Sequence, residues 1–271
     1  MTGLNTRTRT NRGPRGPRSG TSVDVCQAGY LDALGEWERA ADNAPMLSAR
    51  GLTCERGERP LFAGIDLALD AGEWLHVRGA NGVGKTTLLR LLAGLSQPSA
   101  GEVRWQDQPI TSCAAAYRRD LLFLGHQGAL KDDLSALENL ELAGALDGVP
   151  ATRADVVDGL RRFGLQGRED LPVRVLSAGQ KRRVLLARLL TRKAKLWVLD
   201  EPFTALDARA VEMLGTLLGE HLAAGGMAIV TSHQSVPLPA GKWITLEETV
   251  RPQTRVGVAP GVLAAPPGGA S

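Results

Sequence analysis

The chain reads as an α/β protein built on a parallel sheet that is buried on both faces. Three observations carry this reading. Short apolar runs at 74–78 (WLHVR), 196–199 (LWVL) and 227–231 (MAIVT) alternate with helical stretches, the pattern of strands covered by helices on either side. A glycine-rich stretch joins the first of these runs to a Leu-rich segment without Gly or Pro at 85–93, a strand-turn-helix signal. Between about 134 and 190 the β pattern stops and the chain becomes rich in Leu, Ala and Arg at helical spacing, as in a helical subdomain inserted into the sheet's connectivity.

Taken in order, residues 1–45 are poor core material. The first twenty are rich in Arg, Gly, Pro, Ser and Thr, a composition that predicts disorder. This stretch reads as upstream of a start at Met46, where recognisable pattern begins; a basic arm and an organellar transit peptide are the alternatives. Strands are expected at 47–54 and 61–69, joined by a turn at 56–59. The strand at 74–78 and the helix at 85–93 follow, the helix ending near Gly94 with Pro98 beyond. Further short strands fit 101–106 and 120–124. Leu134, Leu137, Leu140 and Leu142 mark the opening of the helical region, which breaks at Gly148-Val149-Pro150 and at Gly164. A helix is expected at 208–224. Residues 248–271, largely Ala, Gly and Pro, read as a disordered tail.

Bulk properties narrow the function. Five of the 32 basic residues (Arg7, Arg9, Arg12, Arg15, Arg18) fall in the first twenty positions, so the rest of the chain is slightly acidic, 27 basic against 29 acidic. That balance gives a globular part no nucleic-acid footprint. No apolar run reaches the ~18 residues a membrane span needs. Cys26, Cys54 and Cys113 are odd in number and widely spaced, which predicts reduced thiols and neither a disulfide frame nor a zinc site.

The glycine-rich stretch is Gly79-Ala80-Asn81-Gly82-Val83-Gly84-Lys85-Thr86-Thr87. It has the spacing G-x-x-x-x-G-K-[ST] between a strand and a helix, the context in which that spacing means a phosphate-binding loop. Its glycines let successive N–H groups turn into one concavity, and the helix dipole adds positive potential there. Lys85 is placed to reach β- and γ-phosphates and Thr86 to put its hydroxyl on Mg²⁺. Asp200-Glu201 closes the apolar run at 196–199. Acids at the carboxyl end of such a strand face the same edge of the sheet as the loop, so Asp200 is a second candidate for Mg²⁺ and Glu201 a candidate general base.

Leu176-Ser177-Ala178-Gly179-Gln180 also fits a capped helix start, because Ser is followed three residues later by Gln. With the loop and Asp200-Glu201-Pro202 in this order, the stretch resembles the signature sequence of ATP-binding cassette (ABC) ATPases. The resemblance implies a RecA-like core with an antiparallel β edge, ATP and Mg²⁺ as ligands, and a dimer in which Ser177, Ala178, Gly179 and Gln180 face the loop of the second subunit. Ala178 stands where the family most often has Gly. The same resemblance makes Gln127 the glutamine that senses Mg²⁺ and couples to a membrane partner, Asp207 the acid crossing the dimer interface, and His233 the histidine that contacts the γ-phosphate. The family's adenine-stacking aromatic is missing from Cys54-Glu55-Arg56-Gly57; Arg56 can stack in its place, which leaves the choice between ATP and GTP open.

A narrower resemblance rests on Gly72-Glu73-Trp74, Gly125-His126-Gln127, Arg182-Arg183, Pro202-Phe203-Thr204-Ala205-Leu206-Asp207 and Ser232-His233-Gln234. It is to the ATP-binding subunits of haem exporter complexes in bacterial cytochrome c maturation. The resemblance covers 46–247 and implies a homodimer bound to integral membrane subunits at the cytoplasmic face of the inner membrane. A cassette ATPase serving another substrate, or a soluble one, is the alternative.

Overall fold

The computed structural model describes residues 45–57, 59–125, 129–233, 235–247 and 255–259. Two sheets organise them. The first is antiparallel, in the order β2-β1-β4-β5, from β1 (Leu47–Arg56), β2 (Arg59–Leu69), β4 (Ala100–Trp105) and the two-residue β5 (Gln108–Pro109). The second has the order β10-β9-β3-β8-β7-β6. Its strands are β3 (Trp74–Gly79), β6 (Leu121–Leu124), β7 (Leu196–Leu199), β8 (Met227–Thr231), β9 (Gly241–Leu246) and β10 (Arg255–Ala259). Neighbours from β9 to β6 run parallel, and β10 closes the edge antiparallel to β9.

Alternation along these strands builds two cores. Leu196, Val198, Met227 and Ile229 face one side of the central sheet, where they join Leu75, Val77, the apolar residues of α1 (Lys85–Leu92) and the inner face of the antiparallel sheet. Trp197, Leu199, Ala228 and Val230 face the other side. There they meet α6 (Ala208–Ala223) and the helical subdomain formed by α3 (Ala136–Leu146), α4 (Arg153–Arg162) and α5 (Ala178–Thr191). Successive strand residues point to opposite faces, so runs apolar at every position are what a doubly covered sheet requires.

The helical subdomain starts where its caps lie. Ser135, Thr152 and Ser177 each accept the N–H of the residue three positions on, and Glu138, Asp155 and Gln180 return the bond, giving a capping box at all three helices. Leu137 and Leu140 are buried on α3, whereas Leu142, part of the same predicted stripe, is exposed; the buried Asn139 takes its place and bonds the carbonyls of Lys131, Leu134 and Ser135.

Four elements have no counterpart in the sequence reading: β5, α2 (Ala114–Asp120), β9 and β10. Asp120, expected to begin a strand, is the last residue of α2. β10 lies inside the stretch that composition marks as tail, and the disorder expected there does not hold for 255–259, where Val256 and Val258 pair opposite Ile244 and Lys242. Residues 1–44, 248–254 and 260–271, on which the other predictions of disorder fall, lie outside the described residues.

Candidate nucleotide site

The glycine stretch turns from β3 into α1 at the carboxyl end of the central strands, as its spacing predicts. Gly79 has φ 140°, and a Cβ there would sit 2.5 Å from the carbonyl oxygen of Leu246, so the passing end of β9 admits no side chain. Gly84 caps α1 in the left-handed region and contributes no side chain of its own to the helix N-terminus. Lys85 is buried and curls back over the turn, its Nζ donating to Gly79 O at 2.8 Å and Ala80 O at 3.1 Å. The ammonium is thereby held at the mouth of the loop, beside the N-terminus of α1, the arrangement that suits an anion.

The acids follow β7. Asp200 is 1% exposed and its carboxylate is satisfied from two sides. Thr86 Oγ1 donates to Oδ2 at 2.7 Å, and Thr231 Oγ1, from the end of β8, donates to Oδ1 at 2.8 Å. The same Thr231 oxygen accepts the Glu201 N–H at 2.8 Å. Glu201 itself is held at φ 50°, in the left-handed region that a residue with a side chain rarely occupies. Its Oε1 lies 3.3 Å from His233 Nε2, and that nitrogen is 3.5 Å from Lys85 Nζ. Lys85, Thr86, Asp200, Glu201 and His233 thus converge on one end of the sheet, although their positions in the chain span 148 residues.

Two further residues steady this cluster. His76 on β3 is buried; Arg78 Nε donates to its Nδ1 at 3.0 Å, which leaves Nε2 to donate to Ser232 O at 3.2 Å, next to His233. Burial holds the His76 imidazole below the ordinary histidine range, partly offset by the bond to Ser232. Arg182, on the second turn of α5, donates to the carbonyls of Gly125, Asp200 and Glu201 at 3.2, 2.9 and 2.7 Å, with a longer contact to Pro202 O. Neither role, nor that of Thr231, was visible in the sequence, where no local pattern marks a residue acting across the sheet.

The signature stretch forms the N-terminus of α5. Ser177 and Ala178 are exposed, and Ser177 is engaged in its capping box, accepting from Gln180 N at 3.2 Å while Gln180 Oε1 accepts from Ser177 N at 2.9 Å. Gly179 packs against the Phe203–Asp207 turn so closely that a Cβ would come 2.8 Å from Ala205 O. Asp207 caps α6, accepting from Ala210 N at 2.9 Å, and pairs with Arg183 at 2.6 Å. The Ala210 N–H foremost, with Arg183 helping, holds the Asp207 carboxyl below its usual range. Gln127 and the Arg56 side chain, to which the sequence reading gave roles, and Gln234, which helps carry the narrower resemblance, lie outside the described residues.

A strand, a glycine turn that holds a lysine at a helix N-terminus, and a carboxylate bonded to the following threonine define a P-loop nucleotide-binding site on a RecA-like sheet. The family model described as "ABC transporter" matches residues 62–204, and the chain belongs to that family. The cytochrome c biogenesis ATP-binding export protein CcmA of Dechloromonas aromatica is 52% identical over 196 residues, 72% of this chain and 96% of that protein. Its counterpart in Escherichia coli strain K12 is 50% identical over 197 residues, 73% of this chain and 93% of that protein. Among solved structures, an ABC transporter ATP-binding protein from Pyrococcus furiosus superposes with a TM-score of 0.62 at 27% identity, over 70% of this chain and 92% of that one. The ATP-binding cassette MJ0796, solved as a dimer in a post-hydrolysis state with ADP and Pi, has the same fold, with a TM-score of 0.64 at 24% identity over 77% of this chain and 98% of that one.

Proposed function

We propose that residues 46–247 form the ATP-hydrolysing cassette of an export complex that serves cytochrome c biogenesis, working as a dimer against membrane subunits. The observation that carries the specific assignment is identity above 50% along 96% of the length of a CcmA protein, supported by the convergence of Lys85, Thr86, Asp200, Glu201 and His233 on one end of the sheet. Among the described residues no helix is long and apolar enough to cross a membrane, which accords with a peripheral subunit on the cytoplasmic face whose passage for the exported molecule lies in other chains. By its resemblance to haem exporter subunits, the work performed is haem export or release of a haem-loaded chaperone.

The convergence of these residues supports the chemistry, and the family resemblance supplies the parts played by Gln127 and by a second protomer. Loop amides and the Lys85 ammonium bind the phosphates and stabilise charge on the transferring group. Thr86 and Asp200 supply hard oxygen ligands 2.7 Å apart; they fit Mg²⁺, which is held by one or two protein oxygens together with substrate phosphates. When bound, the ion neutralises charge between the β- and γ-phosphates. Glu201 takes the proton of the attacking water, and His233, 3.3 Å from it, orients that water against the γ-phosphate. Ser177, Ala178, Gly179 and Gln180 complete the site of the opposite protomer, with Asp207 at the interface. Gln127 senses the ion and relays closure to the membrane subunits.

Capture tests the assignment. Tagged E201Q protein, loaded with ATP and mixed with solubilised membranes, is expected to hold an ATP-bound dimer and retain small integral membrane subunits encoded with cytochrome c maturation functions, identified by mass spectrometry. Recovery of an unrelated permease would preserve the ATPase and overturn the pathway; recovery of no membrane protein would overturn the transport role.

A further inference from the structure

Arg182 is a buried guanidinium that, among the described residues, has no carboxylate in bonding contact. It is 7% exposed, and it donates to main-chain oxygens: Gly125 at the end of β6, and Asp200, Glu201 and Pro202 at the end of β7. A planar fork of five N–H groups holds carbonyls from two strand ends in fixed relative directions, which the rotating donors of an ammonium do not. The carbonyls belong to different working parts. Asp200 and Glu201 are the acids of the site, and Gly125 is the last described residue before Gln127. Arg182 itself stands on α5, five positions beyond Ser177, on the helix whose N-terminus faces a partner's nucleotide.

From this we infer that Arg182 is a positioning residue that couples the two nucleotide sites of a dimer. It transmits the state of the protomer's own site, through the Asp200 and Glu201 main chain, to the signature helix that acts on the other site. The inference deepens the cassette reading and rests on it. The route is continuous in bonded contacts: Thr86 Oγ1 to Asp200 Oδ2 at 2.7 Å, Asp200 O to Arg182 at 2.9 Å, then along α5 to Ser177. A ligand on Lys85 and Thr86 biases Asp200 first, and α5 moves with Asp200 because the guanidinium is fixed to both. Burial lowers the guanidinium's affinity for its proton, while Asp200 and Glu201 oppose that effect. The cation is thus retained close to both acids without neutralising either by direct contact.

The test separates this coupling from mere support. Amide hydrogen exchange is followed by mass spectrometry on the full chain with and without saturating ADP, under conditions where light scattering shows a monomer, so that no partner contact contributes. In the wild type, ADP should protect 79–92 and also change exchange at 178–185 by about threefold or more. In R182M the loop protection should remain and the distant change disappear, with ADP affinity within about threefold and kcat for ATP lower by about tenfold at similar KM. R182K keeps the charge but not the fork; it should lose the distant change too, and it decides the matter if R182M does not fold. A distant change that survives in both variants would overturn the inference, as would a wild type that protects its loop and leaves 178–185 unaffected. If ADP does not protect the loop at all, the nucleotide reading itself falls, and the coupling with it.

Discussion

Thr231 holds the two acids of the site from one oxygen, donating to Asp200 Oδ1 and accepting from Glu201 N, both at 2.8 Å. Replacing it with Val keeps the shape and removes both bonds, leaving a buried carboxylate oxygen and a main-chain N–H without that partner. Each such loss costs about 1–3 kcal/mol, so T231V should lose about 2–6 kcal/mol in urea unfolding and release Glu201 from its left-handed conformation. Turnover should fall with it while nucleotide binding by the loop persists. A stability change below about 1 kcal/mol would show that Thr231 does not position the acids. Nothing beside Thr231 in the sequence advertises this role. The glycine loop and Asp200-Glu201 are legible because their chemistry is written in consecutive residues. Thr231 and Arg182 act on Asp200 across 31 and 18 positions, and such contacts exist only once strands are laid side by side.

Among the elements, those with strong periodicity or caps were legible and those made by their neighbours were not. β7, β8 and α1 are uniformly apolar or amphipathic runs bounded by turns. α2 has seven residues and no side-chain cap; it is stabilised by Tyr117, buried against Trp105 with its hydroxyl donating to Leu92 O at 2.5 Å. β9 and β10 are ordered by pairing on the edge of a sheet already formed. α6 carries a testable electrostatic consequence. His221 lies flat on Trp197, ring centres 3.7 Å apart, and donates from Nε2 to Met227 O. Burial pushes its pKa down to about 4. An unfolded histidine takes up its proton near pH 6.5, so between these values the unfolded state binds more protons. The contribution is therefore complete above pH 6.5 and is lost as pH falls toward 4, by about 3 kcal/mol at most. H221F keeps the stacking and cannot be protonated; its stability should fall less than the wild type's between pH 6.5 and 4. Equal pH dependence of the two proteins, by urea denaturation at each pH, would refute the buried neutral state.

For the whole molecule, the decisive feature is that Ser177 and Ala178 stand exposed at the N-terminus of α5. The order of motifs in the sequence reveals the family, whereas the exposure of these two residues becomes visible only in the fold. The central claim is that one protomer's Lys85 loop and the other's Ser177 helix form each hydrolytic site. It is tested by mixing two inactive variants, K85A and S177R. Each homodimer carries the same defect in both sites, and turnover should be near background. In the mixed dimer one site joins an intact loop to an intact signature helix, so phosphate release should reappear on mixing, at about a quarter of the wild-type rate for random pairing and independent sites. Recovery of that order would establish composite sites shared between protomers. Mixtures that remain inactive, although light scattering shows they form ATP-dependent dimers, would contradict the account.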